Sequence, residues 1–141
     1  MRFSRAHPHT EPNQYRLPLF SMSVSAGVPT PADDYAEERL DLARLLVKRP
    51  ESTFFVRVEG ESMIDAAIHP GDLLVVDRSL EPRHGDIVIA IVEGDFTVKT
   101  LHRKPKFRLV SRNGNNSTEI KEAFEVWGVV LWVVHKARLG E

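Results

Sequence analysis

A mainly β domain, folded over on itself or barrel-like, with one short helix and an extended N-terminal arm is what this sequence predicts. Three observations carry the expectation. Short apolar, β-branched runs recur between Phe54 and Val134; Gly-Asp turns at Gly71-Asp72 and Gly85-Asp86 introduce two of them; and a single stretch near residue 40 reads as helix. Short strands at regular spacing, with turn signals between them, are the pattern of closed or folded sheets. The 141 residues, 42% apolar and 28% charged, suffice for one sizeable core and are too apolar for a disordered chain.

Residues 1–34 read as an arm. Pro8, Pro12, Pro18, Pro29 and Pro31 punctuate it, Ser21 to Ser25 is serine-rich, and apolar periodicity is weak. The arm is also basic: residues 1–26 carry a net +2 and the remainder −3. Residues 35–141 form the globular domain. Tyr35 to Lys48 is its one helical stretch, with Asp41 able to cap a short helix over Leu42–Lys48 by accepting orphan N–H groups of the first turn. Pro50 disfavours helical geometry at Arg49 and ends it. Strands are then expected at Phe54–Val58, Leu73–Val76, Ile87–Val92, Phe96–Leu101, Phe107–Val110 and Val126–Val134. Between them, His69-Pro70-Gly71-Asp72, Arg83-His84-Gly85-Asp86 and Glu93-Gly94-Asp95 supply turn chemistry.

Composition excludes several functions. A net charge of −1 makes no electrostatic trap for nucleic acid, so direct sequence-specific DNA binding is not expected. Cysteine is absent, which removes disulfides, thiolate nucleophiles and Cys-type zinc sites and suits the cytoplasm. Met1 to Pro18 has no apolar signal-peptide core, and the longest apolar runs, Ile87–Val92 and Val129–Val134, fall far short of the ~20 residues that span a bilayer. No membrane association is expected. His7-x-His9 lacks further ligands nearby, Asp33-Asp34 and Glu37-Glu38 read as a solvated face and a helix start, and no metal or cofactor is expected.

The chemistry rests on Ser62 and Lys99. Gly60-Glu61-Ser62-Met63 places a hydroxyl on a turn leaving an apolar strand. Taken alone, such a serine is most often a turn residue bonded to its own backbone. As a nucleophile it needs a base and oxyanion donors, which backbone N–H groups of a tight turn can supply. Lys99 lies in Phe96-Thr97-Val98-Lys99-Thr100. In a strand it shares one face with Thr97 and Leu101, while Phe96, Val98 and Thr100 take the other. Its plain role is an exposed lysine that guards an edge strand. Its chemical role requires a neutral amine: from about 10.4, only about one lysine in a few thousand is neutral at pH 7, and burial lowers that pKa by up to about 3–5 units. His84 and His102 are the alternative bases.

Phe55-Val56-Arg57-Val58-Glu59-Gly60-Glu61-Ser62-Met63-Ile64-Asp65, then Pro70 to Asp77, resembles the nucleophile region of the serine–lysine self-cleaving peptidases of the UmuD and LexA family. His84-Gly85-Asp86-Ile87-Val88-Ile89-Ala90, then Gly94 to Lys99, resembles the segment bearing their general base. The separation of Ser62 and Lys99 suits that family, and the resemblance extends from about Leu17 to the Val129–Val134 strand. It implies a LexA- and signal-peptidase-like β fold, Ser62 as nucleophile, Lys99 as base and self-cleavage at Ala26-Gly27 within Ser25-Ala26-Gly27-Val28-Pro29.

Only 26 residues precede Gly27, too few and too proline-rich for a repressor's helix-turn-helix domain, and Leu17 to Phe20 and Pro29 to Tyr35 look like the UmuD branch. That branch implies a cytoplasmic homodimer of the SOS response to DNA damage, cleavage stimulated by the RecA filament on single-stranded DNA, and a processed form that joins the UmuC DNA polymerase in error-prone translesion synthesis. A LexA-like repressor fragment and a non-catalytic dimeric interaction module are the alternatives.

Overall fold

The computed structural model describes residues 2–5, 15–20, 24–29, 37–113 and 116–141. His7, His9, Asp33, Asp34 and Tyr35 lie outside the described residues. The strands run in chain order as β1 (Arg2–Arg5), β2 (Arg16–Phe20), β3 (Glu37–Asp41), β4 (Thr53–Arg57) and β5 (Leu73–Asp77). They continue as β6 (Ile87–Val92), β7 (Asp95–His102), β8 (Arg108–Asn113), β9 (Asn116–Glu119) and β10 (Phe124–Val134), so the protein is mainly β, as the sequence predicts. Two compact units divide the chain: residues 1–7 with 49–141, and residues 8–48. Among the described residues no helix is long and apolar enough to cross a membrane.

In the smaller unit β2 and β3 pair antiparallel, with Leu17 opposite Leu40. Here the expected helix from Tyr35 to Lys48 is corrected. Glu37–Asp41 is strand, and only α1 (Leu42–Leu46) is α-helical. Helix propensity is a weak prior, and pairing with β2 satisfies the same backbone groups that a longer helix would have used. Val47 is already extended and its N–H closes the last turn on Ala43 O at 2.9 Å. The expected cap does form: Asp41 Oδ1 accepts from Arg44 N–H at 3.2 Å.

The larger unit is one antiparallel sheet in the order β1-β4-β5-β10-β6-β7-β8-β9. The expected strands are all present within a few residues of their predicted bounds; β1, β2, β3 and β9 are additional. β10 pairs through Val129–Val134 with β5 and through Phe124–Val129 with β6, with register shifts between Val126 and Gly128 and between Val130 and Trp132. Strand alternation divides the core. On β6, Ile87 and Ile89 join one cluster with Val56, Met63, Ile68, Leu74, Val76 and Val98. Val88, Ala90 and Val92 point the opposite way, into a second cluster with Leu101, Leu109 and Val129. Gly128 has to be glycine: a Cβ there would come within 2.6 Å of Val76 Cγ1, far inside contact distance.

Asp77 ends β5 opposite Thr53 and Val129 and is 1% exposed. Its Oδ1 accepts from Ser52 Oγ at 2.8 Å, Ser79 N at 2.8 Å and Ser79 Oγ at 2.7 Å, while Arg49 Nε donates to Oδ2. Burial by itself would raise the carboxyl's pKa. The bonds from Ser79, Arg49 and Ser52 outweigh it and lower the value from 3.8 to about 2. Such a group stabilises the fold above its unfolded pKa, and the contribution is lost as pH falls from 3.8 through about 2. The stabilisation is about 2 kcal/mol. Asp77→Asn should therefore be less stable than the parent at pH 7 and show a shallower loss between pH 4 and pH 2 in denaturant titrations.

Candidate active site

Ser62 is positioned by the chain leaving β4. Val58 N–H donates to Asp72 O at 2.9 Å and Val58 O accepts from Gly71 N–H at 2.8 Å, which prolongs the ladder beyond β4. Gly60 then turns the chain at φ +83°, a conformation that costs glycine nothing and an L-side chain about 1 kcal/mol or more. Met63 is buried, and the short 3-10 turn Ile64–Ala66 and the buried Ile68 fix the far end of the loop. Arg112 N–H, on β8, donates to Ser62 O at 3.0 Å. The serine's backbone is thus tied to the sheet while its side chain stays exposed. Arg112 carries no sequence signal for this role, because the bond uses its backbone N–H and depends only on where β8 runs.

Lys99 is positioned by the β6–β7 hairpin. Glu93 at φ 51° and Gly94 at φ 84° make the turn, and the resulting register sets Lys99 opposite Val88. Directly opposed residues share a face of the sheet. Lys99 therefore projects on the side of Val88, Ala90, Leu101 and Leu109, and it is only 7% exposed. Burial among these groups pushes its pKa below 10.5, since a desolvated ammonium loses hydration that nothing apolar replaces.

Nζ of Lys99 lies 3.1 Å from Oγ of Ser62. As an ammonium, Lys99 donates to the hydroxyl; as a neutral amine its lone pair accepts the hydroxyl proton, which is the arrangement a base-activated nucleophile requires. A cleft of ≈ 240 Å³ opens at Ser62, lined by Glu59, Gly60 and Ser62 together with Phe96, Thr97 and Val98 of β7. The β7–β8 register begins only at Thr100, so this stretch of β7 borders the cleft. The alternative bases are engaged otherwise. His84 Nδ1 accepts Arg103 N–H at 2.9 Å, and its ring packs edge-on to His102 at 5.1 Å. Burial, then the charges of Arg108, His84 and Arg112, hold His102 below its usual pKa.

Ala26 and Gly27 belong to the smaller unit, in an exposed segment spanning residues 24–29. Gly27 N–H donates to Ser25 Oγ at 3.2 Å. A Cβ on Gly27 would meet nothing within 4 Å, and its φ lies outside the left-handed region. Packing within the described fold does not require glycine there.

Comparison with known proteins identifies the relatives of this chain. The model of the peptidase S24-like family matches residues 18–131. The chain is 47% identical to the protein SamA of Salmonella typhimurium over 131 residues, covering 93% of this chain and 94% of SamA. It is 42% identical to the protein MucA of Escherichia coli, covering 82% of each, and 34% identical to the LexA repressor of Psychromonas ingrahamii, covering 97% of this chain and 68% of the repressor.

A buried lysine leaves a thermodynamic signature. Because the folded pKa of Lys99 lies below its unfolded value of 10.5, the unfolded chain binds more protons in the window between them, and stability rises with pH there. Below that window the full penalty applies. Lys99→Met keeps the stem and removes the amine. It should be more stable than the parent at pH 7, with the gain shrinking as pH approaches 10, whereas Ser62→Ala should show no such gain. Denaturant titrations of the three proteins at pH 7 and pH 9 measure it; equal stabilities and slopes would mean a solvated amine.

Proposed function

The chain belongs to the peptidase S24-like family, and on that premise we propose that it is a UmuD-like protein that cuts its own backbone between Ala26 and Gly27. The observation that carries the proposal is the 3.1 Å contact between Ser62 Oγ and the buried Lys99 Nζ. In this reading neutral Lys99 takes the hydroxyl proton as Oγ attacks the carbonyl carbon of Ala26. Backbone N–H groups of the Gly60–Met63 turn stabilise the oxyanion. The tetrahedral intermediate expels the Gly27 amine, which receives the proton from Lys99, and leaves Ala26 esterified to Ser62. Water, deprotonated by Lys99, hydrolyses the ester and restores the hydroxyl.

The biological setting is also a proposal and rests on resemblance. The processed chain acts as a cytoplasmic homodimer with a UmuC-type polymerase in translesion synthesis during the SOS response, and the RecA filament on single-stranded DNA stimulates the cut. The degree of identity supports this reading over a repressor, at 47% to SamA against 34% to the LexA repressor. A glycine at position 27 that packing does not demand supports a role in letting the bond approach the cleft.

Ser62→Ala and Lys99→Ala should each reduce self-cleavage at least about 1000-fold, because a nucleophile and its base act as a unit. Gel sizing after incubation at alkaline pH reads this, with circular dichroism to confirm folding. A folded Lys99→Ala protein that still cuts would transfer the base to another group. Gly27→Glu should leave fold and stability unchanged and block the cut. Mass spectrometry of the products, with Gly27 as the new N-terminus in the parent, tests the bond; unchanged cutting by Gly27→Glu would mean the cleft does not select a small residue.

A further inference from the structure

We infer that His69, Asp72 and His135 form a binding site for a zinc-class divalent cation at the entry to β5. The site is independent of the peptidase reading. It arises from strand register. β10 pairs antiparallel with β5 so that Val134 lies opposite Leu73; one residue after Val134 and one before Leu73, His135 meets Asp72, with Nδ1 2.6 Å from Oδ1. His69 is brought in by the Pro70-Gly71 turn. Its N–H donates to Asp72 Oδ2 at 2.9 Å, and Asp72 N–H donates to His69 O at 3.1 Å.

These bonds fix the backbone but, among the described residues, leave Nδ1 of the His69 ring without a hydrogen bond. That atom is buried and stands 3.8 Å from Asp72 Oδ2. The two rings are 4.9 Å apart, and one ligand atom from each of the three residues lies within 4.8 Å of the others. Around a tetrahedral zinc ion, ligand atoms are about 3.3 Å apart; Nδ1 of His135 stands 2.6 Å from Asp72 Oδ1 and Nδ1 of His69 stands 3.8 Å from Asp72 Oδ2, so a shared cation requires the two half-exposed rings to rotate about the fixed carboxylate.

Two imidazoles and a carboxylate suit zinc and its first-row neighbours, whereas magnesium and calcium favour all-oxygen sites. Asp72 is 2% exposed and so held by its surroundings, while the half-exposed histidines leave room for a water as fourth ligand. Arg57, a cation bonded to the same turn, donates to Gly71 O at 3.0 Å and not to the carboxylate. A bound cation would clamp the segment after β10 to the turn whose Gly71 and Asp72 hold Val58, two residues before Gly60.

The test is calorimetric titration of the full chain with zinc chloride, alongside cobalt(II) spectroscopy. The parent should bind one zinc ion at this site and give the visible absorption of four-coordinate cobalt. His69→Ala and His135→Ala should each weaken zinc binding about tenfold or more and abolish that spectrum. His84→Ala and the His7→Ala/His9→Ala double variant should match the parent. His135 is exposed, so its variant keeps the test open should His69→Ala fail to fold. Unchanged affinity in both His69→Ala and His135→Ala, absence of zinc binding in the parent, or magnesium binding as tight as zinc would overturn the assignment.

Discussion

β10 hydrogen-bonds to two strands that belong to opposite halves of the sheet, and the site depends on it. Ser62 is carried by the half built from β1, β4 and β5; Lys99 is carried by β6 and β7. Within the ladder the two halves are joined through β10, where Val129 pairs with Asp77 on one side and Val88 on the other, and the Arg112 N–H bond to Ser62 O adds a direct tie. The two irregularities flanking Val129 raise the local twist, and Gly128 lets the strand come against Val76 where any side chain would collide. Asp77, saturated with hydrogen bonds beside this crossing, anchors the start of β4 to the end of β5. A bond at 3.1 Å between side chains 37 residues apart is the far consequence of that pairing.

The same arrangement explains how an amine becomes a candidate base without a special chemical partner. Register with Val88 points Lys99 toward one of the two apolar clusters, so desolvation is the force that lowers its pKa. Stability is given up locally to desolvate the amine, and the burial of Val88, Leu101 and Leu109 on the same face offsets that loss. The candidate base and a stabilising core therefore draw on the same face of the sheet, which ties the acid–base behaviour of the amine to the integrity of the core.

The histidine–aspartate cluster and the nucleophile turn share a structural element. Val58 bonds to both Gly71 and Asp72, so the turn that assembles the three candidate ligands also supports the chain entering Gly60. This shared support gives cation occupancy a short physical route to the cleft, through two backbone hydrogen bonds.

The sequence by itself determined what depends on local chemistry. Apolar alternation located the strands from β4 onward, Asp41 its cap, Gly60 the turn, and the Ser62 and Lys99 motifs the family. Tertiary structure decided what depends on pairing. Glu37–Asp41 became a strand because β2 was there to receive it; helical pattern alone could not weigh that alternative. Lys99 could have been an exposed edge residue; the register with β6, and the Ser62 turn that Arg112 N–H ties to β8, leave it 7% exposed. His69 and Asp72 stand three residues apart and are visible as a turn, but His135 is 63 residues from Asp72. Only the register of β10 on β5 joins them, since backbone pairing is set by the whole sheet and leaves no local mark in either segment.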